Sequence, residues 1–223
     1  MDTSPLTASV LFQIGPVPVV EDVVTTWGII ALLGCLSIFL RMRLTTLPGR
    51  LQVALEAIMT IVQREIAEIT SRDPASLAPL IATLFLFTAI ANLCGMLPGI
   101  DAPTARIETP AALALVVFGA VHFYGVRAQG LSSYLRSYLK PTPFLLPMNV
   151  LSEFTRIFSL MVRLFGNMMS HQFVVAIVLA MAGLLVPIPF MALGILIGLI
   201  QAYIFTVLAL VFIAAGLGVV EKG

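Results

Sequence analysis

Formal charge is what this sequence has least of. Its 223 residues include 12 basic and 11 acidic side chains, 10% of the chain, against about 25% in an ordinary soluble domain. So few charges cannot cover the surface of a soluble protein this size. The 60% hydrophobic content and mean hydropathy of +1.08 agree. The chain reads as an integral membrane protein. Cysteine is scarce too: Cys35 and Cys94 lie singly in apolar stretches, which excludes a disulfide scaffold. With only two histidines, His122 and His171, no metal site is expected. A net charge of +1 gives no field to recruit nucleic acid or another acidic partner. No nucleophile elbow, zinc motif or phosphate loop is present. The expectation is a chain that is not an enzyme by itself, takes no cofactor, and handles an ion.

The few charges serve as rulers. A spanning helix needs roughly 20 apolar residues. Charge-free runs cover Val23–Leu40, Pro74–Ile100 and Thr109–Val126, and a fourth of 57 residues runs from Leu164 to Val220. The last is too long for one span, and Pro187-Ile188-Pro189 divides it. The prediction is a single all-α polytopic membrane domain over 1–223, with five spans near 23–40, 77–100, 109–126, 149–186 and 190–219. The last two are long and tilted, because a helix over 149–186 runs about 55 Å through a core about 30 Å thick. Tilt is set by packing against partners, so a partner is implied. Between the first two spans, Leu51, Leu55, Ile58, Ile61, Val62, Ile66 and Ile69 recur at helical spacing among Glu56, Gln63, Arg64, Glu65 and Glu68. This predicts an amphipathic helix over about 51–72, on the membrane surface or against a partner.

Loop charges give an orientation. Asp2, Glu21 and Asp22 precede the first span, and Arg41, Arg43 and Arg50 follow it. Arg127, Arg136 and Lys140 occupy the third loop without an acid. The expected topology is N-terminus outside, C-terminus cytoplasmic, multi-pass, with no cleaved signal peptide because a basic n-region is missing.

One charge stands where charges are costly. Arg163 lies far from either end of the fifth predicted helix. An intramembrane arginine costs from about 2.5 to more than 10 kcal/mol and cannot escape by losing its proton. It must face water, a carboxylate or a polar cavity. Helical geometry puts Ser152, Arg156, Ser159, Asn167 and Ser170 within roughly 40° of it. Leu160, Val162 and Phe165 are placed on the opposite face. Gln201 is the matching polar residue of the last helix and serves either as interhelical glue or in function. Gly194 and Gly198 permit close helix approach there. His171 and Gln172 form a second polar cluster, His171 being either a proton relay or a packing residue. Glu153 either lines an exit path or pairs with Arg156 at i+3. Glu108 opens the third span, where an acid suits a helix N-terminus, and His122 is placed at the interface.

At Arg163-Leu-Phe-Gly-Asn-Met168 the sequence resembles the signature of subunit a of rotary F-type ATP synthases. Ala91-Asn-Leu-Cys-Gly-Met-Leu-Pro-Gly99, Thr109-Pro-Ala-Ala-Leu-Ala-Leu115 and Gln201-Ala-Tyr-Ile-Phe-Thr-Val-Leu208 resemble further family segments. Together they cover about residues 20–220, in order. The resemblance implies a membrane subunit that abuts a rotating ring of c subunits, beside peripheral-stalk b subunits and membrane lipids, in a bacterial or archaeal plasma membrane. It implies two offset half-channels for H⁺ or Na⁺. Arg163 would be the essential stator charge, with Asn167 and Gln201 at polar positions beside it. His171, Gln172, Ser170, Glu153, Arg156 and Glu108 become candidate channel lining. The sequence departs from the family pattern at Gln172, where many relatives carry an acid, and at Gly194, where a histidine or acid is common. His171 is the candidate substitute. Outside the resemblance, a free-standing channel or secondary transporter with an arginine in its substrate site remains the alternative, and a structural membrane subunit the third reading.

Overall fold

Apolar runs this long favour helix, which satisfies every backbone group within one segment and without water. The computed structural model describes residues 10–14, 17–43, 49–70, 74–95, 102–138, 144, 146–183 and 186–218. Among these, α1 spans Glu21–Arg43, α2 Arg50–Ile69, α3 Ala78–Cys94, α4 Glu108–Gln129, α5 Leu131–Tyr138, α6 Leu146–Ala182 and α7 Pro187–Gly216. The body is all-helical. Ahead of it lies a short antiparallel hairpin, β1 Val10–Ile14 with β2 Val17–Val20. A search for long apolar runs passes over it, although its β-branched content suits a strand. Asp2 and Lys140, used above as orientation markers, lie outside the described residues.

Among the described residues, three helices are long and apolar enough to cross a membrane: Glu108–Gln129, Leu146–Met181 and Pro187–Gly216. Val23–Phe39 and Ala78–Cys94 are shorter apolar helices. At 1.5 Å per residue α6 is about 55 Å long and α7 about 45 Å. The boundary between them differs from expectation. The α6 helix gives way at Gly183, whose φ of 75° is left-handed, and α7 begins on Pro187 itself. Proline is tolerated in a first helical turn, where its missing N–H has no partner to lose. Pro187 and Pro189 therefore open α7 instead of standing outside it.

The core is a seam of helix pairs. The α7 helix packs on α3, α4 and α6, while α2 packs on α3 and α7. Buried Leu77, Ile81, Leu84, Val117, Phe205, Leu210 and Ile213 fill these contacts. Val62 and Ile66 of α2 join that core, but Ile61 is 55% exposed. Tyr203 Oη of α7 donates to Glu65 Oε1 of α2 at 3.0 Å, a second tie between them. The α2 helix ends at Ile69, three residues earlier than predicted, where Thr70 turns extended and its N–H and hydroxyl both return to the Ile66 carbonyl.

Two segments that read as plain loops are structured. Gly95, just past α3, lies so close to Ala102 that an added Cβ would be 2.2 Å from Ala102 Cβ. A 3-10 turn at Pro103–Ala105 follows, with Pro103 and Thr104 buried, and packs on α6. After α4, Gly130 adopts φ 81° and α5 begins at once. Eight residues are too few for a periodic signal to be recognised in sequence.

At the α4–α7 crossing, an added Cβ on Gly216 would meet Val121 Cγ1 at 2.9 Å and the Val121 carbonyl at 3.1 Å. Backbone cannot yield there, so Gly216→Val is expected to destabilise by about 1–3 kcal/mol. Gly34→Ala on α1, where nothing lies within 4 Å, leaves stability unchanged or raised. Thermal inactivation of the purified protein in its native assembly checks both.

Candidate functional site: a polar stripe on α6

The α6 helix buries a narrow row. Leu160, Leu164 and Met168 are 1%, 0% and 2% exposed and stack one turn apart against α4, α7 and the 103–105 turn. That row is centred roughly 100° round the helix from Arg163, not opposite it. Val162, expected on the apolar face, is 43% exposed. Ser152, Arg156, Ser159, Arg163, Asn167 and Ser170 are all exposed. The polar stripe thus runs along the side of α6 that the chain leaves uncovered. Among the described residues, no hydrogen bond or ion pair engages Arg163.

One turn from Arg163, the stripe reaches inward. Asn167 Nδ2 donates to Gln201 Oε1 at 2.6 Å, joining α6 to α7. Gln201 is 4% exposed, yet its Nε2 is buried without a partner among the described residues. His171 Nε2 shares that condition. An unsatisfied buried polar group costs about 1–3 kcal/mol, so each of these nitrogens would gain from a hydrogen-bond partner. His171 and Gln172 are both half-buried, side by side on α6, and no hydrogen bond joins them among the described residues. Glu108 is exposed in the first turn of α4.

A third helix enters through a residue that periodicity and charge did not single out. Asn92 of α3 is 1% exposed. Its Nδ2 donates to the Gly198 carbonyl at 2.8 Å, and Thr104 Oγ1 donates to its Oδ1 at 2.9 Å. Gly198 allows this approach, since an added Cβ would meet Asn92 Cβ at 3.2 Å. The predicted close approach at Gly198 is therefore to α3. The signal was available: Asn92 is the lone amide side chain in the charge-free run 74–100.

At the other end of the bundle, α4, α5, α6 and α7 enclose a cavity of about 330 Å³. Glu153 faces it and does not pair with Arg156, correcting that expectation. Tyr138 Oη donates to Glu153 Oε2, and His122 Nε2 lies 3.8 Å from Oε1. Arg156 instead stacks 5.7 Å over the Phe212 ring. Tyr134 and Tyr138 hydroxyls share a 2.9 Å hydrogen bond, and Asn149 Nδ2 donates to the Tyr138 carbonyl at 2.9 Å. Burial, then the Glu153 carboxylate, pushes the Tyr138 phenol well above its ordinary value; burial raises Tyr134 also. Both remain hydroxyl donors at neutral pH. His122, read as interfacial, is part of this cluster. Its role was invisible in sequence because its partners lie 12 to 31 positions away on α5 and α6.

The fold and stripe define a helical membrane protein whose central cation, unpaired among the described residues, faces outward, toward something beyond the chain. The family model for the ATP synthase A chain matches residues 23–214, which include the whole stripe. The chain is 55% identical over 223 residues to "ATP synthase subunit a 2" of Bradyrhizobium sp., covering 100% of both chains. It is 46% identical over 215 residues to "ATP synthase subunit a 2" of Pelobacter propionicus, covering 96% of this chain and 94% of that one. With "ATP synthase subunit a 1" of Hahella chejuensis it shares 47% over 208 residues, 93% and 88% of the two. The chain belongs to the ATP synthase A chain family.

The Asn167–Gln201 contact makes a prediction. In a double-mutant cycle of Asn167→Ala and Gln201→Ala, the two losses in ion pumping are expected to be non-additive by about 0.5–3 kcal/mol. Additive losses would mean that the two amides act separately.

Proposed function

We propose that the chain is the ion-translocating stator subunit of a rotary F-type ATP synthase. The observation that carries this is Arg163: permanently charged, exposed on the uncovered side of a long apolar helix, and without a partner among the described residues of its own chain. A cation so placed is tolerated only against an external carboxylate or water. A ring of c subunits, each with an intramembrane carboxylate, supplies that group. A permanent cation beside a carboxylate favours its ionised form, so Arg163 keeps each passing ring carboxylate charged between two half-channels and blocks a direct leak. Each charge crossing is worth about 2.3 kcal/mol per 100 mV, which such a leak would dissipate.

On this reading the five apolar helices α1, α3, α4, α6 and α7 span a bacterial or archaeal plasma membrane. The N-terminus is outside, the C-terminus is cytoplasmic, and α2 lies at the cytoplasmic surface. The packing of Val62 and Ile66 against the start of α3 supports that position for α2. The lengths of α6 and α7 suit tilted helices following a curved ring. Peripheral-stalk b subunits and lipid cover other faces. Asn167 and Gln201 hold the polar centre beside Arg163. Ser170, His171 and Gln172, with Glu108, line the outer half-channel; Glu153 and Arg156 line the cytoplasmic one. The subunit moves H⁺ or Na⁺ and does no covalent chemistry itself. A free-standing channel is not favoured, because it would need the counter-charge for Arg163 within its own chain.

Arg163→Ala is expected to abolish ATP-driven ion uptake into inverted vesicles while the complex still assembles. Normal uptake by that variant would sink the mechanism. The ion itself is read by ATPase activity of the assembled complex against sodium at fixed pH: activation marks Na⁺, and indifference marks H⁺.

A further inference from the structure

A second cavity lies apart from the polar stripe, between α2, α3 and α7. Ile58 and Ile61 of α2, Ile81 and Phe85 of α3, and Val207 and Leu210 of α7 wall a slot of about 100 Å³. That is the room of about three waters at about 30 Å³ each, but the walls offer water nothing. The Thr206 hydroxyl is spent on the Ala202 carbonyl at 2.8 Å, and the Tyr203 hydroxyl is spent on Glu65. An apolar void of this kind stays dry. Its lining lacks the contacts that a hydrocarbon segment would supply.

A charge stands at the rim. Glu65 borders the slot and is half-buried. Its Oε1 accepts from Tyr203 Oη at 3.0 Å, while Oε2 has no partner among the described residues. The adjacent cation does not serve it, because Arg64 is paired to Glu68 at 2.9 Å. A carboxylate beside an apolar wall is poorly hydrated and gains from a charged donor. The rim is also open: Ile61 is 55% exposed and Tyr203 44%. Ile81 and Phe85 lie in the first two turns of α3, so the slot sits toward one end of that helix, where headgroups and acyl chains meet.

We propose that this slot binds a phospholipid with a primary-ammonium headgroup, the ammonium donating to Glu65 and one acyl chain entering between α2, α3 and α7. The inference goes beyond the stator reading and shares with it only the surface position of α2. An ammonium brings three N–H donors and no acceptor, which suits a carboxylate with one oxygen open. A quaternary headgroup has no N–H to give, and an anionic one is repelled. Lipid tails are as apolar as the slot, so moving a chain into it brings no hydrophobic gain. Chain packing therefore sets the place, and headgroup pairing sets the selectivity.

The test uses the assembled complex in vesicles of phosphatidylcholine containing a trace of phosphatidylethanolamine with a photoreactive acyl chain. Labelled residues are mapped after irradiation. Labelling is expected on the slot walls, at Ile58, Ile61, Phe85 and Val207. Unlabelled phosphatidylethanolamine is expected to compete about threefold or more better than phosphatidylglycerol. Glu65→Gln removes that preference, and Val207→Trp, which fills the slot, removes the wall labelling. Absence of label on the walls overturns the proposal, as does equal competition by the two lipids or a preference that survives Glu65→Gln. The headgroup comparison needs no variant, so it decides even where Glu65→Gln does not assemble. The surface position of α2 is read separately, by reaction of exposed Gln63, as Gln63→Cys, with a membrane-impermeant maleimide. Protection there sinks that position and this site together, whereas reaction without selective labelling overturns the site alone.

Discussion

A guanidinium that cannot lose its proton, held where lipid or a partner must cover it, is the constraint on which the rest of this structure depends. Arg163 is exposed and unpaired among the described residues, so nothing described in the chain offsets its desolvation. The surrounding architecture is consistent with keeping it that way. The α6 helix commits only the Leu160–Leu164–Met168 row to its own bundle. That leaves the stripe from Ser152 to Ser170 uncovered. A tighter bundle that wrapped α6 on all sides would bury the charge and remove its use.

Supporting the stripe is a set of polar ties between helices. Asn167 and Gln201 join α6 to α7, and Asn92 joins α3 to α7 and to the 103–105 turn. In an apolar medium such bonds set register, because sliding by one residue would strand each amide. Gly198 lets α3 and α7 approach where the Asn92 tie needs it, and Gly125 and Gly216 allow close contact of α4 with α5 and α7 elsewhere. Rigidity on this side and openness on the other suit a stator face against which something else turns.

The two ends of the stripe differ in kind. One end offers isolated orphan groups, Gln201 Nε2 and His171 Nε2, without a carboxylate between them. The other offers a carboxylate already engaged by a phenol and facing an imidazole. The two ends therefore present different chemistry, one of neutral polar groups and one of a carboxylate with a phenol donor.

Much of this was legible in sequence, because the bilayer makes charge so costly that its position is informative. The helical body, the long last two helices, the amphipathic pattern before α3, and the alignment of Arg163 with Ser159, Asn167 and Ser170 all follow from composition and a 3.6-residue period. What sequence could not decide were contacts between residues distant along the chain. That Glu153 takes Tyr138 and not Arg156, that Asn92 meets Gly198 across 106 positions, and that α5 closes one wall of a cavity depend on which helices lie side by side. Periodicity orients a side chain about its own axis, but it carries no information on the neighbour it will meet; only the packed bundle decides that.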